Sequence, residues 1–247
     1  MSRFIDKLKQ ASQYETQPMG FRKEKSASRL RLLLVVEVKD GAAAGVVEGA
    51  DAVLLEGTVK NPPAKTDLPV GIRLFGGKAS KLEGIDYVVF KPETPVIIAG
   101  DEKTGKVIAV EASLEMGLLR ALEDLPLDAL FIIGDETQTQ IVTWQYLMLC
   151  KRFSAISGKP VLAAVSPDVS QGELQLLWEV GVDGVVVKVA PGQPVGRLRE
   201  LRQMIDGLTL PSRRKRMKAR AIVPSLGEVT TPVTEEEEEE DEGEEEE

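Results

Sequence analysis

Leu32-Leu33-Leu34-Val35-Val36-Glu37-Val38-Lys39-Asp40 is the stretch that decides the fold. An apolar run this dense, ending abruptly in charge, is expected of a strand buried on both faces, as in a parallel sheet covered by helices. Alternation puts Val35, Glu37 and Lys39 on one side and Leu34, Val36 and Val38 on the other. Charges at the end of such a strand are costly unless they are paired or put to use. The pattern recurs at 51–56, 70–75, 86–91, 107–112, 129–134, 161–166 and 184–189. Three of these strands follow a glycine, one hydrophobic residue and an aspartate: Gly49-Ala50-Asp51, Gly84-Ile85-Asp86 and Gly181-Val182-Asp183. Each glycine suits the position just past a helix, where a left-handed residue ends it cheaply. Eight such units predict a closed (β/α)8 barrel of the TIM type rather than an open sheet.

Helices are predicted at 2–12, 114–124 with Ser113 as N-cap, 138–157, 170–180 and 194–207. The first half of the barrel reads thinner. Residues 41–49 allow barely two turns, Asn61-Pro62-Pro63 replaces a helix by a loop, and 78–83 give about one turn. Asp101 to Gly105 reads as a turn. The outer face there needs cover, from the first 30 residues or from a second copy of the chain. Four segments follow: an N-terminal helix and lead-in (1–30), the barrel (31–208), a basic segment and linker (209–234) and an acidic tail (235–247), expected to be disordered.

The net charge of −9 is concentrated in that tail, whose 13 residues carry 12 acids. Residues 1–234 hold 28 acidic against 31 basic side chains, so no global field argues for nucleic acid or an acidic partner. The basic cluster from Arg213 to Arg220 lacks aromatic neighbours, and nucleic acid is not an expected partner. The tail reads as a solubilising shield for that cluster or as a dock for a basic partner. No membrane partner is expected, because no apolar run approaches the length of a span. A cytoplasmic location follows, with a single cysteine, Cys150, set in an apolar helical stretch as core packing. The chain has no histidine, which removes Ser-His-Asp and Cys-His catalysis and imidazole metal sites.

Function in such barrels gathers where the strands exit. The exits here present Glu37, Lys39, Glu56, Arg73, Lys91, Glu111, Asp135 and Lys188, with Ser166 among them. Acids and bases converging on one mouth can transfer protons and hold an anion. The opposing reading is a salt-bridged plug that fills the barrel. No cofactor is expected, and a Mg²⁺ site at Glu37, Glu56, Glu111 and Asp135 is disfavoured by the cations beside them. Pro191-Gly192-Gln193-Pro194-Val195-Gly196, leading into the last helix, reads as an anion-binding turn or as a plain loop.

Glu37-Val38-Lys39 after an N-terminal helix, then Gly49-Ala50-Asp51-Ala52, then Glu111 ending the fifth strand, together resemble indole-3-glycerol-phosphate synthase. The wider group is the ribulose-phosphate-binding barrels. The resemblance implies that Lys39 and Glu111 are acid/base groups and that Glu37 is an orienting carboxylate. The chain departs from that family at Arg73-Leu74-Phe75, where a lysine is usual, and at Gly134-Asp135-Glu136. It departs again at the phosphate-binding turns, where it has Ser166-Pro167-Asp168 and Lys188-Val189-Ala190. The expected activity is a metal-independent lyase or isomerase acting on a small anionic metabolite. Arg73, Lys91 and Lys188 would grip the substrate, and Glu56 and Asp135 would line the site. The alternative is a non-catalytic barrel serving as an assembly module through the helix bearing Ile141, Trp144, Met148 and Phe153.

Overall fold

Eight parallel strands close into one ring in chain order: β1 (Leu33–Lys39), β2 (Ala52–Glu56), β3 (Val70–Leu74), β4 (Tyr87–Phe90), β5 (Gly105–Val110), β6 (Ala129–Ile132), β7 (Val161–Val165) and β8 (Gly184–Val189). Among the described residues five helices accompany them: α1 (Arg3–Ser12), α2 (Met116–Ala121), α3 (Trp144–Ile156), α4 (Gln171–Val180) and α5 (Gly196–Asp206). The computed structural model describes residues 2–12, 32–39, 49–56, 67–74, 84–96, 103–111, 113–134, 141–189 and 196–208. The short helices expected at 41–49 and 78–83, the loop at Asn61-Pro62-Pro63, the turn before α5 and the C-terminal segments lie outside the described residues.

Two shells of side chains account for the closure. Leu34, Val36 and Val38 face outward into the layer shared with α2 to α5, while Leu33 and Val35 face the lumen with Leu54, Val89, Phe131, Leu162 and Val186. β1 is therefore apolar on both sides for most of its length, as a parallel sheet under helices requires.

The base of the barrel is tied by a motif repeated four times. The backbone N–H of Leu34 donates to Asp51 Oδ2 at 2.9 Å, and Asp51 N–H donates back to Leu34 O at 2.8 Å. Val70 pairs in the same way with Asp86, Lys106 with Asp128, and Val161 with Asp183. Each aspartate precedes an even-numbered strand and satisfies the start of the odd strand before it, where the ladder alone would leave a donor unmet. The Gly-hydrophobic-Asp entries seen in the sequence are three of these clamps. The fourth, at Asp128, follows Pro126-Leu127 and so carried no glycine signal. Gly49, Gly84 and Gly181 do adopt positive φ, and Gly181 is the left-handed C-cap of α4. Asp183 is buried, so Asp183→Ala is expected to lower stability by about 1–3 kcal/mol, the cost of orphaning the Val161 donor. Denaturant unfolding with an unchanged m-value checks this.

α1 closes the same end. Phe4, Ile5 and Leu8 are buried in the lumen cluster, and Phe4 stacks on Tyr87 with ring centroids 4.0 Å apart. Arg3 forks onto Asp86 at 3.0 and 2.8 Å, and Lys7 Nζ donates to Asp51 O. Two glycines make the room. A Cβ on Gly71 would lie 2.2 Å from the Tyr87 ring, and one on Gly105 would lie 2.5 Å from Ile5. Gly105 therefore opens β5 instead of closing a turn, because its close approach to α1 belongs to the strand. The first helix shares the barrel's core.

Two helices, α2 and α3, differ at their starts from the sequence reading. α2 runs only from Met116 to Ala121, and its N-cap is Glu115, without a side-chain cap bond, in place of Ser113. α3 begins at Trp144 behind Thr143, whose hydroxyl accepts from Tyr146 N–H; residues 141–143 are not helical. α4 carries a full capping box between Ser170 and Glu173. Cys150 is buried in α3, and burial pushes its thiol up to about 12. With the pKa raised, thiolate is scarce at neutral pH. The native protein is expected to resist a thiol reagent at pH 8 and to react once unfolded, which absorbance of the released thiolate would record.

Candidate functional site at the barrel mouth

Strand alternation decides which side chains reach the mouth. Glu37 and Lys39 share the face of Leu33 and Val35; Glu56 follows Ala52 and Leu54; Arg73 follows Gly71. Lys91 continues the Tyr87 and Val89 face, Glu111 that of Val107 and Ala109, Ser166 that of Leu162 and Ala164, and Lys188 that of Val186. Every described member of the predicted set thus lies on the lumen side of its strand. Asp135 lies outside the described residues.

The ring sorts into a floor and two ends. The floor is an ion pair between Arg73 Nη1 and Glu37 Oε1 at 2.6 Å, with both side chains only 5% exposed. The guanidinium carbon sits 5.5 Å from the centroid of the Phe131 ring, so this layer reaches from β1 through β3 to β6 and fills the lumen. Below it lies Tyr87, whose hydroxyl donates to Val53 O at 2.9 Å. Burial first, then the Glu37 charge, drives the Tyr87 hydroxyl well above its usual range. It is a structural donor and not an acid.

At the β1–β2–β8 end, Lys188 Nζ lies 3.2 Å from Glu56 Oε2, an ion pair without hydrogen-bond alignment. Lys39 stands beside Glu56 in the strand register and is exposed. At the opposite β4–β5 end, Lys91 Nζ lies 3.4 Å from Glu111 Oε1, with exposures of 38% and 62%. A hollow of about 70 Å³ opens there. Its walls include Lys91, Glu93, Glu111 and Ser113, and its floor is Ala109.

The structure places the described members of the predicted set around one mouth. Arg73, expected to grip substrate, and Glu37, expected to orient, are buried against each other. Glu37, Glu56 and Glu111 each face a cation and not one another, and among the described residues no group of three or more acids or cysteines is placed to hold a metal. Among those same residues Lys39 makes no ion pair. Phe131, Glu93 and Ser113 were missed by reading exits alone. Glu93 and Ser113 lie two residues beyond Lys91 and Glu111, and extending each exit by one inward step would have found them.

No protein-family model matches the chain, and no curated protein matches its sequence. Its fold is similar to that of solved tryptophan synthase alpha-subunits from the hyperthermophile Pyrococcus furiosus. A point mutant of that subunit superposes with a TM-score of 0.54 at 14% identity, covering 71% of this chain and 97% of that one. The tryptophan synthase complex of the same organism gives 0.51 at 14% identity, covering 72% and 97%. At that identity the likeness is one of fold. It agrees with the closed (β/α)8 barrel expected from the sequence. No described helix is long and apolar enough to cross a membrane.

Proposed function

We propose that the mouth binds a small metabolite bearing an anionic group and that Lys39 is its acid/base residue, in a lyase or isomerase reaction needing no metal. The observation that carries this reading is the pairing pattern. Glu37, Glu56 and Glu111 are each matched to a cation of the ring, whereas Lys39, among the described residues, carries its charge into the mouth without a partner. A lysine so placed attracts an anion and can move a proton at the bound molecule. Glu56, its register neighbour on β2, is held by Lys188. Glu111, expected as the second acid/base group, stands with Lys91 at the binding end.

Thermal shift against small phosphorylated and carboxylated metabolites tests this. A ligand at about 100 times its dissociation constant adds ~2.7 kcal/mol of stability, a shift of several degrees, which Lys39→Ala should abolish. The absence of any anion-dependent shift in the wild type would remove the proposal.

A second reading is favoured by a different observation. Ile141, Trp144 and Met148 project at α3 with exposures of 65%, 75% and 65%, and the Arg73–Glu37–Phe131 layer leaves the lumen filled. In that reading the barrel is an assembly module and α3 is its contact face. Trp144→Asp would then change assembly while Lys39→Ala changes nothing.

A further inference from the structure

We infer that the hollow between β4 and β5 is a subsite for the aminocarboxylate end of a small amino acid. This deepens the reading above, and rests on it for the mouth being a binding site. The hollow exists because β5 carries alanine where its neighbours carry bulk. Ala109 pairs in register with Phe131 on β6, and the register with β4, which pairs Val89 with Val107 and Phe90 with Ile108, brings the Lys91 position alongside it. The space is about 70 Å³ and open to solvent, so a small charged end of a ligand fits it.

The charge of the walls selects that end. Lys91 supplies one positive group, Glu93 and Glu111 supply two negative ones, and the Ser113 hydroxyl adds a donor or acceptor. A bare anion would meet one cation and two like charges, a poor exchange. A bare cation would compete with Lys91 for Glu111. A zwitterion satisfies every wall: its carboxylate takes Lys91 and Ser113, and its ammonium sits between Glu93 and Glu111. The Lys91–Glu111 contact is suited to such an exchange. It spans 3.4 Å between half-exposed side chains, against 2.6 Å for the buried Glu37–Arg73 pair, and it opens at little cost.

Calorimetric titration of the full chain with glycine, acetate, methylammonium and inorganic phosphate, each alone, tests the inference. Glycine is expected to bind at least about tenfold more tightly than the three single-charge probes, since each charged contact is worth that factor or more. Glu93→Gln should lose about the same factor, and Ala109→Leu should abolish binding by filling the floor. Circular dichroism would confirm that both variants are folded. Should Ala109→Leu fail to fold, Glu93→Gln and Ser113→Ala carry the test. Equal binding of acetate, phosphate and glycine, lost in Lys39→Ala, would overturn the aminocarboxylate subsite while leaving the anion-binding mouth intact. Glycine binding that survives Glu93→Gln unchanged, or no heat with glycine, would overturn it as well.

Discussion

Arg73→Met is expected to cost about 3–5 kcal/mol, the penalty for stranding the Glu37 carboxylate in the lumen without its counter-charge. Both side chains are nearly excluded from water, and the pair is short and charge-assisted. The reverse single change, Glu37→Leu, should cost a similar amount, because it leaves the guanidinium buried over Phe131. The double variant Glu37→Leu with Arg73→Met should regain most of the loss, since an apolar pair of similar volume needs no desolvation of charge. Denaturant unfolding of the three variants would show the coupling. Additive losses would mean that the two residues do not act as a pair. The double variant also separates floor from site: its stability should return while the mouth's charges at Lys39, Lys91 and Lys188 are unchanged.

Phe4→Ala should be nearly as damaging, at about 3–5 kcal/mol, although it lies outside the strands. Its ring is fully buried against Tyr87, and truncating it opens a cavity that a closed barrel cannot collapse to fill. Gly71→Ala attacks the same contact from the other side. The added methyl meets a Tyr87 ring that has nowhere to turn, because its hydroxyl is held by Val53 O. Combining Gly71→Ala with Tyr87→Leu should relieve the clash and recover part of the loss. If Phe4→Ala unfolds like the wild type, α1 is not part of the core.

The barrel was legible because its cause is local and repeated. Each strand carries its own apolar run, and each Gly-hydrophobic-Asp entry marks a helix end and a clamp together. Charged exits could be placed on the lumen side because alternation within a strand fixes the face of Glu37 and Lys39 as soon as Val35 is assigned inward. What alternation does not give is partner choice. Whether Arg73 points to solvent or down onto Glu37 depends on the depth at which β3 meets β1, and that is set by shear around the whole ring. The stack of Arg73 on Phe131 spans three strands and leaves no trace in any local window. The hollow likewise needed the register of β4, β5 and β6, since Ala109 is an ordinary small residue until Phe131 is known to stand beside it. Helix boundaries failed where a side-chain cap was assumed from residue type. Ser113 had the right chemistry, but the chain turned helical two residues later.

In the proposed function one mouth has a chemical end at Lys39 and a binding end at Lys91. Reductive ¹³C-methylation of the lysines, followed by NMR titration with a mixture of small carboxylated and phosphorylated metabolites, addresses this most directly. The Lys39 and Lys91 signals, assigned through Lys39→Arg and Lys91→Arg, should shift together along one saturating curve while those of Lys7 and Lys151 stay fixed. Signals at Lys39 and Lys91 that stay still, or that move no more than those of Lys7 and Lys151, would contradict it.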